Sequence, residues 1–161
     1  MSQNNKVKIG EKAPDFKLIS TNGEELSLSD FKDKKNIVLY FYPKNNTPGC
    51  NNEACEFRDI NEEFEKLDTV VIGISKDKIG SHKKFKEKFN LPFDLVSDEA
   101  RDVHATYDVL KPKKMFGKDV IGTIRSTFVI DKQGNIVKEF RNVKATGHAN
   151  DVLEYVKQNM K

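Results

Sequence analysis

No stretch of the 161-residue chain approaches the ~20 consecutive apolar residues that a membrane-spanning helix needs. With 33% charged residues and a mean hydropathy of -0.66, no membrane role is expected. Cysteine is scarce: Cys50 and Cys55 are the only two. In a chain expected to stay inside the cell, that speaks against a stapling disulfide, and two thiols alone do not complete a zinc site. His82, His104 and His148 show no ligand spacing with the thiols or with one another, so no metal is expected. An excess of one charge is missing too. Lys and Arg number 28 against 25 Asp and Glu, a net +3 with the signs mixed. That balance argues against a dedicated nucleic-acid binder, and the lysines around Lys83-Lys84-Phe85-Lys86 read as a solvated helix face. Met1 to Lys6 hold no apolar segment behind a basic start, so no cleaved leader is expected and the chain reads as cytoplasmic. Repeats, low-complexity stretches and linkers are absent, which leaves the expectation of a single domain over 1–161.

What is present is a set of short apolar runs. Phe16 to Ile19 and Leu26 to Leu28, around the turn signal Thr21-Asn22-Gly23, predict a β-hairpin. Residues 36–42 and 69–75 are continuous β-branched and aromatic runs, as expected of strands buried on both faces. Between them Thr47-Pro48 signals a helix start, and Cys55, Phe57, Ile60, Phe64 and Leu67 carry helical spacing on to Asp68. A basic helix over 78–90, a short strand at Leu95-Val96 and a small helix over 99–107 follow. Residues 111–122, with Pro112, Gly117 and Gly122, read as irregular. A hairpin of 125–131 with 136–140 and a helix from Gly147 to Met160 close the chain. This order predicts an α/β fold. A mixed central sheet is flanked by helices in a thioredoxin-like arrangement, with an added N-terminal β-hairpin.

The chemistry is expected where the strand over 36–42 gives way to the next helix. Open α/β sheets place their sites at the carboxyl ends of strands. Cys50 falls about one turn inside the helix, where unpaired N–H groups and the positive end of the dipole favour an anion. A thiolate is the reactive form of cysteine, and such surroundings favour it. The plain alternative is an inert buried thiol. Cys55 lies five residues on, a rise of ~7.5 Å and a rotation of ~140° along a helix. The two Cα atoms are then roughly 8–9 Å apart, beyond the ~7 Å limit for a bridge, so the pair can join only if the first turns unwind. Core packing of Cys55 is its plain alternative.

Pro43-x-x-x-Thr47-x-x-Cys50, preceded by Tyr40-Phe41-Tyr42 and followed by Cys55, resembles the active-site pattern of the peroxiredoxins, in their Q-type or bacterioferritin comigratory protein branch. The similarity extends through Gly10 to Phe16, Gly73 to Asp77, Leu95 to Asp98 and Arg125 to Asp131. It implies a thioredoxin fold and a thiol-dependent peroxidase acting on hydrogen peroxide and organic hydroperoxides. By the same resemblance Cys50 is the peroxidatic cysteine and Cys55 the resolving one, joined in an intrachain disulfide that thioredoxin reduces. Thr47 matches the hydroxyl that contacts thiolate and peroxide, Pro43 the residue that shields the pocket, and Arg125 the arginine that stabilises the thiolate and polarises the peroxide. No cofactor is implied, and a monomer is expected.

Two rival readings remain at this point. A general thiol–disulfide oxidoreductase is disfavoured because C-x-x-C is missing. A non-catalytic binding or chaperone module would keep the fold without the chemistry. Glu53, one turn after Cys50, is set aside as ordinary first-turn acid, although it has the reach to orient Arg58 or Arg125. Met115 and Phe116 are weighed as pocket wall against core packing.

Overall fold

The computed structural model describes residues 7–160; the expectation for Met1 to Lys6 lies outside them. Strands β1 (Lys17–Ile19) and β2 (Glu25–Ser27) form the expected antiparallel hairpin. β3 (Asn36–Phe41), β4 (Thr69–Ser75) and β5 (Asp94–Ser97) run parallel, and β8 (Ser126–Ile130) and β9 (Ile136–Phe140) complete a five-stranded mixed sheet in the order β5-β4-β3-β8-β9. Helices α1 (Pro48–Asp59), α2 (Asn61–Glu65), α3 (Ile79–Phe89), α4 (Asp102–Thr106) and α5 (His148–Asn159) connect and cover it.

β3 lies at the centre, and all six of its residues are buried. Its alternation splits the core into two layers. Val38 and Tyr40, with Tyr42 just beyond the strand, pack with Phe57 of α1, Phe64 of α2, Phe85 of α3 and Val152 of α5. Ile37, Leu39 and Phe41 face the other way, onto Leu26, Leu28, Tyr107 and Phe128. Gly73 has a packing reason. A Cβ there would come 2.9 Å from the ring of Tyr40 on the neighbouring strand.

The structure departs from the sequence expectations in two places. The helix expected to reach Asp68 breaks at Ile60, whose φ of -116° and ψ of 14° leave the helical region, and restarts as α2. The crossover must bring the chain back from the end of β3 to Thr69, which pairs with Asn36 at the strand's start. A six-residue strand spans ~20 Å, whereas an unbroken helix over 48–68 would run ~30 Å and overshoot. The segment expected to be irregular is instead a hairpin of β6 (Leu110–Met115) and β7 (Lys118–Thr123), a two-stranded sheet of its own. Pro112 misled the reading because proline is tolerated where a strand faces solvent.

Candidate active site

β3 delivers the chain to Tyr42 and Pro43, and the loop from Lys44 to Asn46 turns it into α1. The turn is held from beneath. Tyr42 Oη donates to Asn45 Oδ1 at 2.5 Å, the Asn45 N–H to Asp77 Oδ2 at 2.8 Å, and Asn45 Nδ2 to Ser81 Oγ at 3.1 Å. His82 Nδ1 lies 3.2 Å from both Tyr42 Oη and Asn45 Nδ2. Burial pushes the His82 pKa down to about 4, so the ring is neutral at physiological pH and joins the network without adding a charge.

Thr47 is the N-cap of α1, with proline following as expected. Its hydroxyl, however, donates to the Lys44 carbonyl at 3.0 Å and does not cap the helix. Cys50 then falls in the first turn, 1% exposed. Arg125 reaches it from across the sheet. The pairing of Phe41 with Ser126 places Arg125 beside the end of β3, and the Val143 N–H donates to the Arg125 carbonyl at 3.0 Å. From there Arg125 Nη2 donates to Cys50 Sγ at 3.4 Å and Nη1 to Glu53 Oε1 at 2.5 Å.

A guanidinium thus bridges a thiol and a carboxylate that sit one turn apart on α1. Glu53 is fully buried. Burial pushes its pKa up, partly opposed by the facing Arg125, to about 7. Its second oxygen, Oε2, has no hydrogen-bond partner among the described residues. Burial also works against the charge of Arg125, but Glu53 and Cys50 more than offset it and hold its pKa above the ordinary value. Gly49 clears the approach: a Cβ there would stand 3.2 Å from Arg125 Nη2.

The structure therefore brings Cys50 and Arg125 together as anticipated, and adds Glu53 and Gly49. Arg58, the other arginine considered for Glu53, instead bonds Asp59 and the Phe89 carbonyl. Glu53 was legible only as a residue three positions from Cys50. Nothing local distinguished it from a surface acid, and the structure places it in the second turn of α1, not the first. Thr47 and Pro43 are half-buried on the entry to α1. Cys55 is half-buried on the same helix as Cys50, and both thiols are free. Two further contacts pin this helix to the start of α5: Asn52 Nδ2 donates to Thr146 Oγ1 at 3.0 Å, and the Gly147 N–H to Glu56 Oε1 at 2.9 Å. Phe116 walls no pocket, being 96% exposed at the tip of the β6–β7 hairpin, and the side chain of Met115 lies outside the described residues.

Chemically, this is a buried thiol held against a fixed, doubly bonded cationic fork. Such a fork stabilises negative charge on sulfur and offers donors to charge that develops beside it.

Residues 9–139 match the AhpC/TSA family. Peroxiredoxin Bcp of Bacillus subtilis is 52% identical over 151 residues, covering 94% of this chain and 96% of the relative. Peroxiredoxin Bcp of Xanthomonas campestris is 42% identical over 125 residues, 78% of each chain. Among solved structures, a Xylella fastidiosa PrxQ mutant superposes with a TM-score of 0.90 at 36% identity, over 99% of this chain and 100% of that one. The X. campestris bacterioferritin comigratory protein, solved in complexes that bear on its alkyl peroxide reduction, gives 0.88 at 35% identity, over 96% and 100%. Other mutants of X. campestris peroxiredoxin Q exchange single cysteines at two positions much farther apart than Cys50 and Cys55. The thioredoxin-like fold, the buried thiol at a helix start and these similarities converge: the chain belongs to the AhpC/TSA family and, within it, to the Bcp/PrxQ peroxiredoxins, enzymes that reduce peroxides with thiols.

Proposed function

We propose that Cys50 is the peroxidatic residue and Cys55 the resolving one, in a single-domain, cytoplasmic, monomeric peroxidase that thioredoxin reduces. One observation carries the reading: Arg125 Nη2 stands 3.4 Å from Cys50 Sγ while Glu53 holds the other arm of the fork. The Cys50 thiolate attacks one oxygen of a hydroperoxide and the O–O bond breaks. Cys50 becomes a sulfenic acid, and the expelled alkoxide or hydroxide takes up a proton as alcohol or water. Charge builds on the departing oxygen during this step, so a donor already fixed at the sulfur lowers the barrier without reorganising. Thr47 and Pro43, at the mouth of the first turn, contact and shield the peroxide.

The Cys55 thiol then displaces water from the sulfenic acid, forming an intrachain disulfide. Both cysteines belong to α1, whose geometry keeps their Cα atoms roughly 8–9 Å apart, so this step requires the start of the helix to unwind. Gly49, Asn51 and Asn52 are weak helix formers there, and Gly alone costs ~1 kcal/mol against Ala. A dithiol reductant returns the pair to thiols by giving up two electrons and two protons. Written this way, the cycle balances with thiols alone.

One equivalent of hydrogen peroxide added to reduced protein consumes both thiols within seconds and yields an intrachain disulfide. Cys55→Ser takes up the same equivalent but stops at the Cys50 sulfenic acid and loses thioredoxin-driven turnover. Thiols that persist in the wild type, or normal turnover in Cys55→Ser, would defeat the assignment. Amide exchange should accelerate over 47–58 on oxidation while β3 and β4 stay protected.

A further inference from the structure

The hairpin that the sequence hid has four properties that its role as a connection does not explain. It carries charge. Residues 110–123 hold four lysines and one aspartate, while the remaining 147 residues balance at 24 charges of each sign. It is solvated, with Lys111, Lys113, Lys114 and Lys118 all exposed. Its tip is an aromatic side chain, Phe116, left 96% exposed, with Ile121 45% exposed on β7.

The fourth property is the turn itself. Met115 pairs with Lys118, so Phe116 and Gly117 form a two-residue loop with φ of 55° and 78°, as a type I′ turn requires. Asn, Asp or Gly is the usual choice at its first position, and a bulky ring at positive φ is strained there. Strain that displays an apolar ring to water is the kind of feature that marks a functional site.

The base of the hairpin is tied down by hydrogen bonds and leads directly into Arg125. Arg101 Nη1 donates to the Ile121 carbonyl at 2.8 Å, and the Ile124 N–H to the Val109 carbonyl at 2.7 Å. The next residue along the chain is Arg125.

We infer that the β6–β7 hairpin is the docking surface for the protein dithiol reductant, its lysines meeting an acidic face and Phe116 an apolar depression beside the reductant's thiols. This inference rests on the peroxidase reading above and names its partner surface. A reductant must reach the unwound start of α1 and leave again after each cycle. Charge-steered encounter with one aromatic anchor suits such a brief complex. The lysines of α3 offer a second basic surface, but among the described residues no exposed aromatic accompanies them.

The test compares two reductants under steady state: thioredoxin with its reductase, and dithiothreitol, which is small and uncharged. The variants are the triple Lys111→Glu, Lys114→Glu, Lys118→Glu and the single Phe116→Ser, with Lys83→Glu, Lys84→Glu on α3 as control. The hairpin variants should raise the KM for thioredoxin about tenfold or more, as charge reversal across a steering surface does. Turnover with dithiothreitol should stay at the wild-type rate, and the control pair should change neither. Added salt should weaken wild-type use of thioredoxin and partly restore that of the triple variant, whose reversed charge repels an acidic face.

An unchanged KM in the hairpin variants would overturn the proposal, as would equal losses with both reductants. So would a Phe116-dependent dimer, or retention of the wild type on duplex DNA, with thioredoxin kinetics unaltered in the variants; the hairpin would then serve a second copy or a nucleic acid. A wild type that turns over with dithiothreitol but with no protein dithiol overturns the docking surface alone. One inert with both overturns the peroxidase reading and this surface with it.

Discussion

Two buried carboxylates stand on opposite faces of β3, and their environments differ. Asp98 follows β5, and its Oδ2 accepts from the His104 N–H at 2.9 Å and from His104 Nδ1 at 2.6 Å, the His104 ring packing edge-on against Phe41. Burial works to raise its pKa, but these bonds outweigh it and the value falls below that of an ordinary aspartate. Glu53 has one bonded oxygen and one without a partner among the described residues, and burial prevails, holding its pKa up at about 7. A carboxylate whose partners outweigh its desolvation is stabilised in its charged form. One left partly unsatisfied against a shared guanidinium is arranged for something other than stability. The Asp98 pair joins α4 to the end of β5, whereas Glu53 bonds one arm of Arg125 while the other faces Cys50.

Removal of the thiol should have the largest effect. Cys50→Ser should lose all peroxidase activity with every reductant while its thermal melting stays near that of the wild type. A peroxide assay with thioredoxin and with dithiothreitol, beside a melting curve, checks both halves. Residual turnover above the uncatalysed rate would separate Glu53 and Arg125 from the chemistry.

Next in size is the structural side. Asp98→Ala strands the buried His104 N–H and Nδ1 without their acceptor and should cost about 1–3 kcal/mol for each donor in denaturant unfolding, with kcat near wild type for the protein that remains folded. A fall in kcat with stability unchanged would reverse the roles assigned to the two carboxylates.

Arg125→Ala should do the opposite. Loss of a positioned donor slows comparable reactions by ~10²–10³, and a similar drop in kcat/KM for peroxide is expected in stopped-flow traces. Its cost in stability should be smaller than that of Asp98→Ala. Glu53, already holding its proton up to about pH 7, can stay neutral once the guanidinium is gone.

The smallest effect lies in the pH dependence of stability. The Glu53 pKa is raised from 4.5 to about 7 in the folded chain, so the fold binds a proton there that the unfolded chain has released. The stabilisation from that bound proton is fully present below pH 4.5 and is lost as pH rises through 7. Glu53→Gln lacks this titration. Subtracting its unfolding free energy from that of the wild type should give a difference that declines across the window and levels off above it. A flat difference from pH 4.5 to 7 would mean that Arg125 keeps Glu53 ionised throughout.

Much of this was legible without coordinates. β3 and β4 announce themselves because strands buried on both faces must be apolar along their whole length. Thr47-Pro48 marks the helix start because proline's missing N–H is harmless there. Placing Cys50 and Cys55 on that helix already made their union depend on unwinding, since 1.5 Å of rise per residue allows nothing else. These are local facts, decided by residue type and spacing over a few positions.

Only the tertiary structure decided the rest, because it depends on pairings between distant parts of the chain. Arg125 reaches Cys50 because β8 runs antiparallel to β3 in a register that sets Ser126 opposite Phe41, and no neighbouring residue encodes that register. Glu53 became a buried partner instead of a surface acid only once that arginine arrived over Gly49. Pro112 and the glycines hid a hairpin because the signals that break a buried strand also suit a strand exposed to solvent. Local chemistry chose the thiol and its helix; long-range strand pairing chose what surrounds it, because a side chain's electrostatic environment is set by whatever the fold brings within a few ångströms of it.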